Sequence, residues 1–108
     1  MDAYTRQVHN YLKLMTKSAL LVSELDKANI DILITMLGEL DKEIICECYG
    51  LFGTPQKTTA AIAEKHRVKP EVITEIVEKD LRKIAITPEW QMMARGFSNT
   101  VKQKIGIV

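Results

Sequence analysis

Thr58–Ile84 reads TTAAIAEKHRVKPEVITEIVEKDLRKI, two helical segments around a short polar connector. The Thr58 hydroxyl is placed to accept from backbone N–H groups two or three residues on, as an N-cap does. Ala60, Ala61, Ile62 and Ala63 follow, small residues against which another helix can lie closely. His66-Arg67-Val68-Lys69 forms the connector, and Pro70 stands at the first position of the second helix, where its missing N–H leaves no bond unmade. From there Ile73, Ile76, Val77, Leu81 and Ile84 recur at three- and four-residue steps, one apolar stripe on an amphipathic helix. Glu71, Thr74, Glu75, Glu78, Lys79 and Arg82 take the opposite face. A short helix supporting a longer one, with the longer one's N-terminal polar face exposed, is a helix-turn-helix arrangement.

Upstream, Tyr4 to about Leu25 keeps an apolar side through Val8, Tyr11, Leu12, Met15, Leu20, Val22 and Leu25. Asp26-Lys27-Ala28-Asn29 interrupts it, with Asn29 as the cap of a second helix over Ile30–Leu40. That helix is rich in large apolar residues, so it is expected to be covered on more than one side. Gly38 lies near its end, Asp41 caps a third helix from Lys42 to about Tyr49, and Gly50 stops it. Gly53-Thr54-Pro55 is a loop. Downstream, Thr87-Pro88-Glu89 begins a helix through Trp90, Met92 and Met93 that ends at Gly96. Ser98 or Asn99 starts one more turn. The apolar Ile105-Gly106-Ile107-Val108 docks on the core, pairs with another chain, or frays.

These readings predict an all-α chain of five or six helices. Residues 1–28 form a helical extension, 29–86 the helix-turn-helix domain and 87–108 a helical tail. The core expected from the stripes packs Ile62, Val68, Ile73, Ile76 and Leu81 against Leu37, Ile45 and Tyr49. The apolar side of Tyr4–Leu25 needs a cover, either Ile30–Leu40 or the same helix of a second copy, and a homodimer is the favoured alternative.

Composition narrows the function classes. The 108 residues are 46% hydrophobic, enough for a real core, and the formal net charge of +1 does not announce a nucleic-acid partner. No apolar run approaches the roughly 20 residues of a membrane span, and no early apolar segment reads as a secretory signal. Cys46 and Cys48 are the only cysteines; two residues apart on a helix they face different ways and lack a second ligand pair. Reduced thiols fit a cytoplasmic location. His9 and His66 are distant in sequence and belong to no metal-ligand pattern, with His66 expected to be half-buried against a carbonyl. Glu71, Glu75 and Glu78 share a face but have no nucleophile beside them. No enzyme, metal or cofactor is expected.

Beyond these patterns, Ile32–Ile86 resembles the C-terminal promoter-recognition domain, region four, of bacterial sigma factors. Leu37 to Leu40 followed by Glu43-Ile44-Ile45 resembles its leucine-then-Arg-Glu-x-x-Val-Leu helix, and Tyr49-Gly50-Leu51 its Arg-Tyr-Gly-Leu ending, with Cys48 in place of the arginine. Thr58, Ile62, Ala63 and Val68 match its first helix and turn. Glu71, Ile73, Ile76, Lys79, Leu81, Arg82 and Lys83 match its recognition helix. The resemblance covers about half the chain. Pro70, Val72 and Thr74 stand where the family helix bears arginines, and Glu75 where it bears glutamine. Arg67 stands at a turn position that favours glycine or aspartate, and Asp80 replaces a small apolar residue.

The resemblance implies a small sigma-like DNA-binding transcription regulator, with a contact to RNA polymerase through the Ile30–Leu51 helices. Its duplex-DNA surface would place Lys69, Glu71, Thr74 and Glu75 at base edges and Lys57, Lys65 and Arg67 at phosphates, with Lys79 further along the same helix. Glu71 is then an acceptor for a cytosine amino group. Lys57–Ile86 holds seven basic and five acidic residues, a net +2, which is modest for a phosphate-binding unit. The alternative reading is a protein–protein interaction module that keeps the fold without sequence-specific DNA binding, using the acidic helix face or the terminal helices.

Overall fold

The computed structural model describes residues 1–107, so Val108 of the apolar terminal tetrapeptide lies outside the described residues. Among the described residues the chain carries seven α-helices and no strand: α1 Ala3–Lys17, α2 Glu24–Thr35, α3 Glu39–Tyr49, α4 Thr59–His66, α5 Pro70–Ala85, α6 Pro88–Arg95 and α7 Asn99–Ile105. A 3-10 turn, Ala19–Leu21, links the first two.

The second half follows the expected punctuation closely. The Thr58 hydroxyl accepts from the Ala61 N–H at 3.1 Å, Pro70 opens α5, and the Thr87 hydroxyl caps α6 by accepting from Trp90 at 3.2 Å. Ser98 caps α7, a full helix where one turn was expected. Its end, Ile105, is completely buried and so docks on the core, with Ile107 partly buried beside it.

The first half departs from the sequence reading. α1 stops at Lys17, and the next helix starts five residues before Asn29, under the Ser23 side chain, which accepts from the Asp26 N–H at 3.1 Å. The polar run Asp26–Asn29 therefore lies within the first turns of α2, half-buried except for the exposed Ala28, and Glu24 and Asp26 suit the positive end of the helix. α2 ends at Thr35, and Gly38, at φ 102°, leads directly into α3 in place of a cap at Asp41. Ile32, Met36 and Leu40 are exposed, so the Ile30–Leu40 segment is covered on one side only.

α5 is the central element, packing against α1, α3, α4 and α6. Ile73, Leu81 and Ile84 are essentially inaccessible, Val77 is buried and Ile76 is partly buried. Ile45 and Tyr49 join them as expected, whereas Val68 is exposed and Leu37 only half-buried. The apolar side of α1 (Val8, Tyr11, Leu12) is covered by α5 and α7, and Asn10 Nδ2 donates to the Ile105 carbonyl at 3.2 Å. This side is thus filled within the chain by elements other than Ile30–Leu40, and the burial argument for a dimer through α1 no longer applies. Tyr11 stacks on Phe97 at 4.6 Å between ring centroids, with Trp90 edge-on to both. The α1 residue Thr16 also donates to the Tyr49 carbonyl at 2.7 Å, satisfying an end of α3.

Three helices end in the same bonding pattern, but one of them uses an unusual residue. After α3, α4 and α7 the N–H five positions along returns to the last turn: Leu51 to Cys46, Val68 to Ala63 and Ile107 to Lys102. The pattern needs a left-handed residue, supplied by Gly50 (φ 67°) and Gly106 (φ 93°) but at α4 by Arg67 (φ 57°). A side chain in this region costs roughly 1–2 kcal/mol, partly offset by the greater freedom of an unfolded glycine. Arg67→Gly is therefore expected to raise stability by about 0.5–1 kcal/mol in urea denaturation. A loss of stability would show that the Arg67 side chain makes contacts that outweigh its backbone strain.

Candidate functional site

α4, the turn Arg67-Val68-Lys69 and α5 present one continuous outer surface. The buried Ile62 and Ala63 hold α4 from behind, and Ile73 and Val77 hold α5. Rigid support of this kind leaves the outer face free to carry polar residues. Arg67, Lys69, Glu71, Thr74, Glu75 and Lys79 are all exposed on it. Thr74 also bonds back to the Pro70 carbonyl, at 3.3 Å, as hydroxyls in helices do.

The two remaining predicted residues behave differently. Lys57 Nζ lies 2.6 Å from Glu47 Oε2, and Lys65 Nζ lies 2.6 Å from Glu43 Oε1 and 3.2 Å from Glu47 Oε2. The side-chain carboxylate of Glu47 is 3% exposed, so both lysines serve a buried charge that would otherwise be costly. Burial pushes the Glu47 pKa up, but the hydrogen bonds from Lys57 and Lys65 outweigh it and hold the group below the usual carboxylate range. Hydrogen bonds to Glu43 first and Glu47 second raise the Lys65 ammonium above its ordinary value. Of the four cations expected near the turn, Arg67 and Lys69 have no ion-pair partner among the described residues, while Lys57 and Lys65 are engaged.

Sequence reasoning did not place Glu47 in the site. The signal was a lone acidic residue inside the run Ile44-Ile45-Cys46-Glu47-Cys48, four residues after Glu43 and hence on its face. His66 is half-buried as expected, but its Nε2 faces a carboxylate rather than a carbonyl, 3.8 Å from Glu47 Oε1. Neither atom has a hydrogen-bond partner among the described residues.

Two further features lie away from this surface. A groove of about 590 Å³ runs between α2 and α6, lined by Leu25, Ile32, Met36, Met92 and Met93 and flanked by Asp26 and Glu89. Near the N-terminus, His9 Nδ1 and the Tyr49 hydroxyl share a 2.6 Å hydrogen bond, and burial, then Lys13 and Arg6, lower the His9 pKa. Cys46 is buried and Cys48 half-buried, both free, and burial raises both thiols. No helix among the described residues is long and apolar enough to cross a membrane. Comparison with known proteins finds no matching family model, curated protein or solved structure.

Proposed function

We propose that the protein is a small sigma-like transcription regulator that binds duplex DNA through α4, the Arg67–Lys69 turn and the N-terminal half of α5. The observation that carries this reading is the pair of unengaged cations, Arg67 and Lys69, beside an exposed polar helix face whose reverse side is locked into the core. In this arrangement α4 and α5 act as a helix-turn-helix, with Lys69, Glu71, Thr74 and Glu75 toward base edges and Arg67 toward phosphate. Lys79 extends the cationic edge. Lys57 and Lys65 contribute less, because each would have to leave Glu47 to reach a phosphate.

Fluorescence titration of labelled random duplex at low and moderate salt tests this directly. With phosphates neutralised by Arg67 and Lys79 the slope of log K on log salt is expected to be about −2, and Arg67→Ala should reduce its magnitude by about one for all sequences. Glu75→Gln assigns the acidic position: a cytosine reader loses roughly 1–3 kcal/mol at one base pair, whereas a residue that only repels the backbone gains affinity on every duplex. Absence of any salt-dependent binding at low ionic strength would sink the DNA reading.

The groove between α2 and α6 favours a second reading, a protein-interaction module. Its exposed leucine, isoleucine and methionine side chains suit an apolar partner surface, and methionine adapts readily to one. A contact with RNA polymerase through α2 is compatible with the first reading as well, since the groove and the α4–α5 surface use different residues. Dimerisation has no such surface on α1, whose apolar side is filled.

A further inference from the structure

We propose that Glu43, Glu47 and His66 form a binding site for a first-row divalent metal ion of the zinc type, in competition with the Lys65 ammonium. One ligand atom from each of these residues lies within 4.8 Å of the others. Glu43 and Glu47 are one turn apart on α3, and His66 closes the group from the last residue of α4. The independent indication is Glu47 itself, 2% exposed, with Oε2 held by Lys57 and Oε1 directed at His66 without a partner among the described residues.

The spacing suits a shared cation better than a hydrogen bond. His66 Nε2 and Glu47 Oε1 stand 3.8 Å apart, beyond hydrogen-bond reach. Two ligands on one tetrahedral zinc, at bonds of about 2.0–2.1 Å, lie about 3.3 Å apart, a closure of about half an ångström for the Glu47–His66 pair and of up to about 1.5 Å for the pairs with Glu43. An imidazole with two carboxylates also selects the metal, since magnesium and calcium take oxygen ligands while zinc accepts imidazole nitrogen and carboxylate oxygen together. Lys57 remains on Oε2 and keeps Glu47 oriented. Lys65 cannot remain, because its ammonium occupies Glu43 Oε1 at 2.6 Å, and its exposed stem lets it swing into solvent. The ammonium is the internal counter-ion of this site and the metal replaces it.

Titration calorimetry of the reduced protein with Zn²⁺ alone is the test, with Co²⁺ absorption as the coordination readout. One ion per chain is expected, with a d–d spectrum of nitrogen and oxygen ligation. His66→Gln and Glu43→Gln, both at positions outside the sealed core, should each weaken binding by about tenfold or more. Lys65→Met should tighten it, because the ammonium and the metal compete for the same carboxylates. Absence of saturable binding overturns the proposal, as does binding that survives His66→Gln or is not tightened by Lys65→Met. A cobalt spectrum with thiolate charge-transfer bands would place the ion at Cys46 or Cys48 and also overturn it.

Discussion

Truncating Ile73 to alanine is expected to lower the free energy of unfolding by about 2–5 kcal/mol. The side chain is 1% exposed on α5, the helix that four others pack against, so its loss leaves a cavity bounded by several elements rather than a dent at one edge. Total stabilities of 5–15 kcal/mol are usual, so this one change would remove a large share. Urea denaturation followed by far-UV circular dichroism measures it. Thr74→Ala is the control: the neighbouring side chain is exposed and should change stability by no more than about 0.5 kcal/mol. Equal effects at the two positions would contradict the packing described for α5.

Asp80 gives the second large effect, and it depends on pH. Its carboxylate is fully buried on the inner side of α5, and neither oxygen has a hydrogen-bond partner among the described residues. Burial first, then the adjacent Asp41 carboxyl, raise its pKa from 3.8 to about 7, against a smaller opposing pull from Lys79 and Lys83. A folded-state pKa above the unfolded value means that the native protein holds the proton more tightly. The resulting stabilisation is complete below about pH 4 and is lost as pH rises through about 7. Stability should therefore fall between pH 5 and pH 8. Asp80→Asn, neutral and of the same shape, should flatten the profile and raise stability at pH 8 by about 1–3 kcal/mol. Denaturation curves of both proteins at the two pH values decide the matter; a wild-type profile that rises with pH would reverse the assignment.

The contrast between these two residues shows what the sequence makes legible. Ile73 is readable because helical periodicity is local: Ile73, Val77, Leu81 and Ile84 announce their shared face within one segment. Thr58, Pro70 and Thr87 are legible for the same reason, since a cap acts over two or three residues. The Ser23 cap also acts locally, but the polar Asp26–Asn29 run beside it resembles an interruption and is in fact part of the first turns of α2. Arg67 stands at a glycine-favouring turn position, and its φ of 57° is the left-handed conformation such a position requires. The stacking of Phe97 on Tyr11 joins residues far apart in the chain, and no periodicity encodes such a meeting.

The candidate surface was legible as a set of exposed residues but not as a balance of charges. Arg67, Lys69, Glu71, Thr74, Glu75 and Lys79 lie outside as their polarity implies. That Lys57 and Lys65 spend their charge on Glu47 follows only from the approach of α4 and the preceding loop to α3, a tertiary event. His66 meeting Glu43 and Glu47 has the same origin, which is why a search for ligand spacing along the chain passes over it.

The pairing of α1 with α7 also sets the order in which the molecule can become whole. Val8, Tyr11 and Leu12 are buried partly by α5 and partly by residues made long after them, Phe97 to Ile105. Until α7 follows, α5 covers only part of this apolar stripe, while α4 and α5, adjacent in sequence, can already close on each other. Contacts of such long sequence separation slow folding, and an unburied stripe is open to association with other nascent chains. α1 is thus fully covered only once α7 is in place.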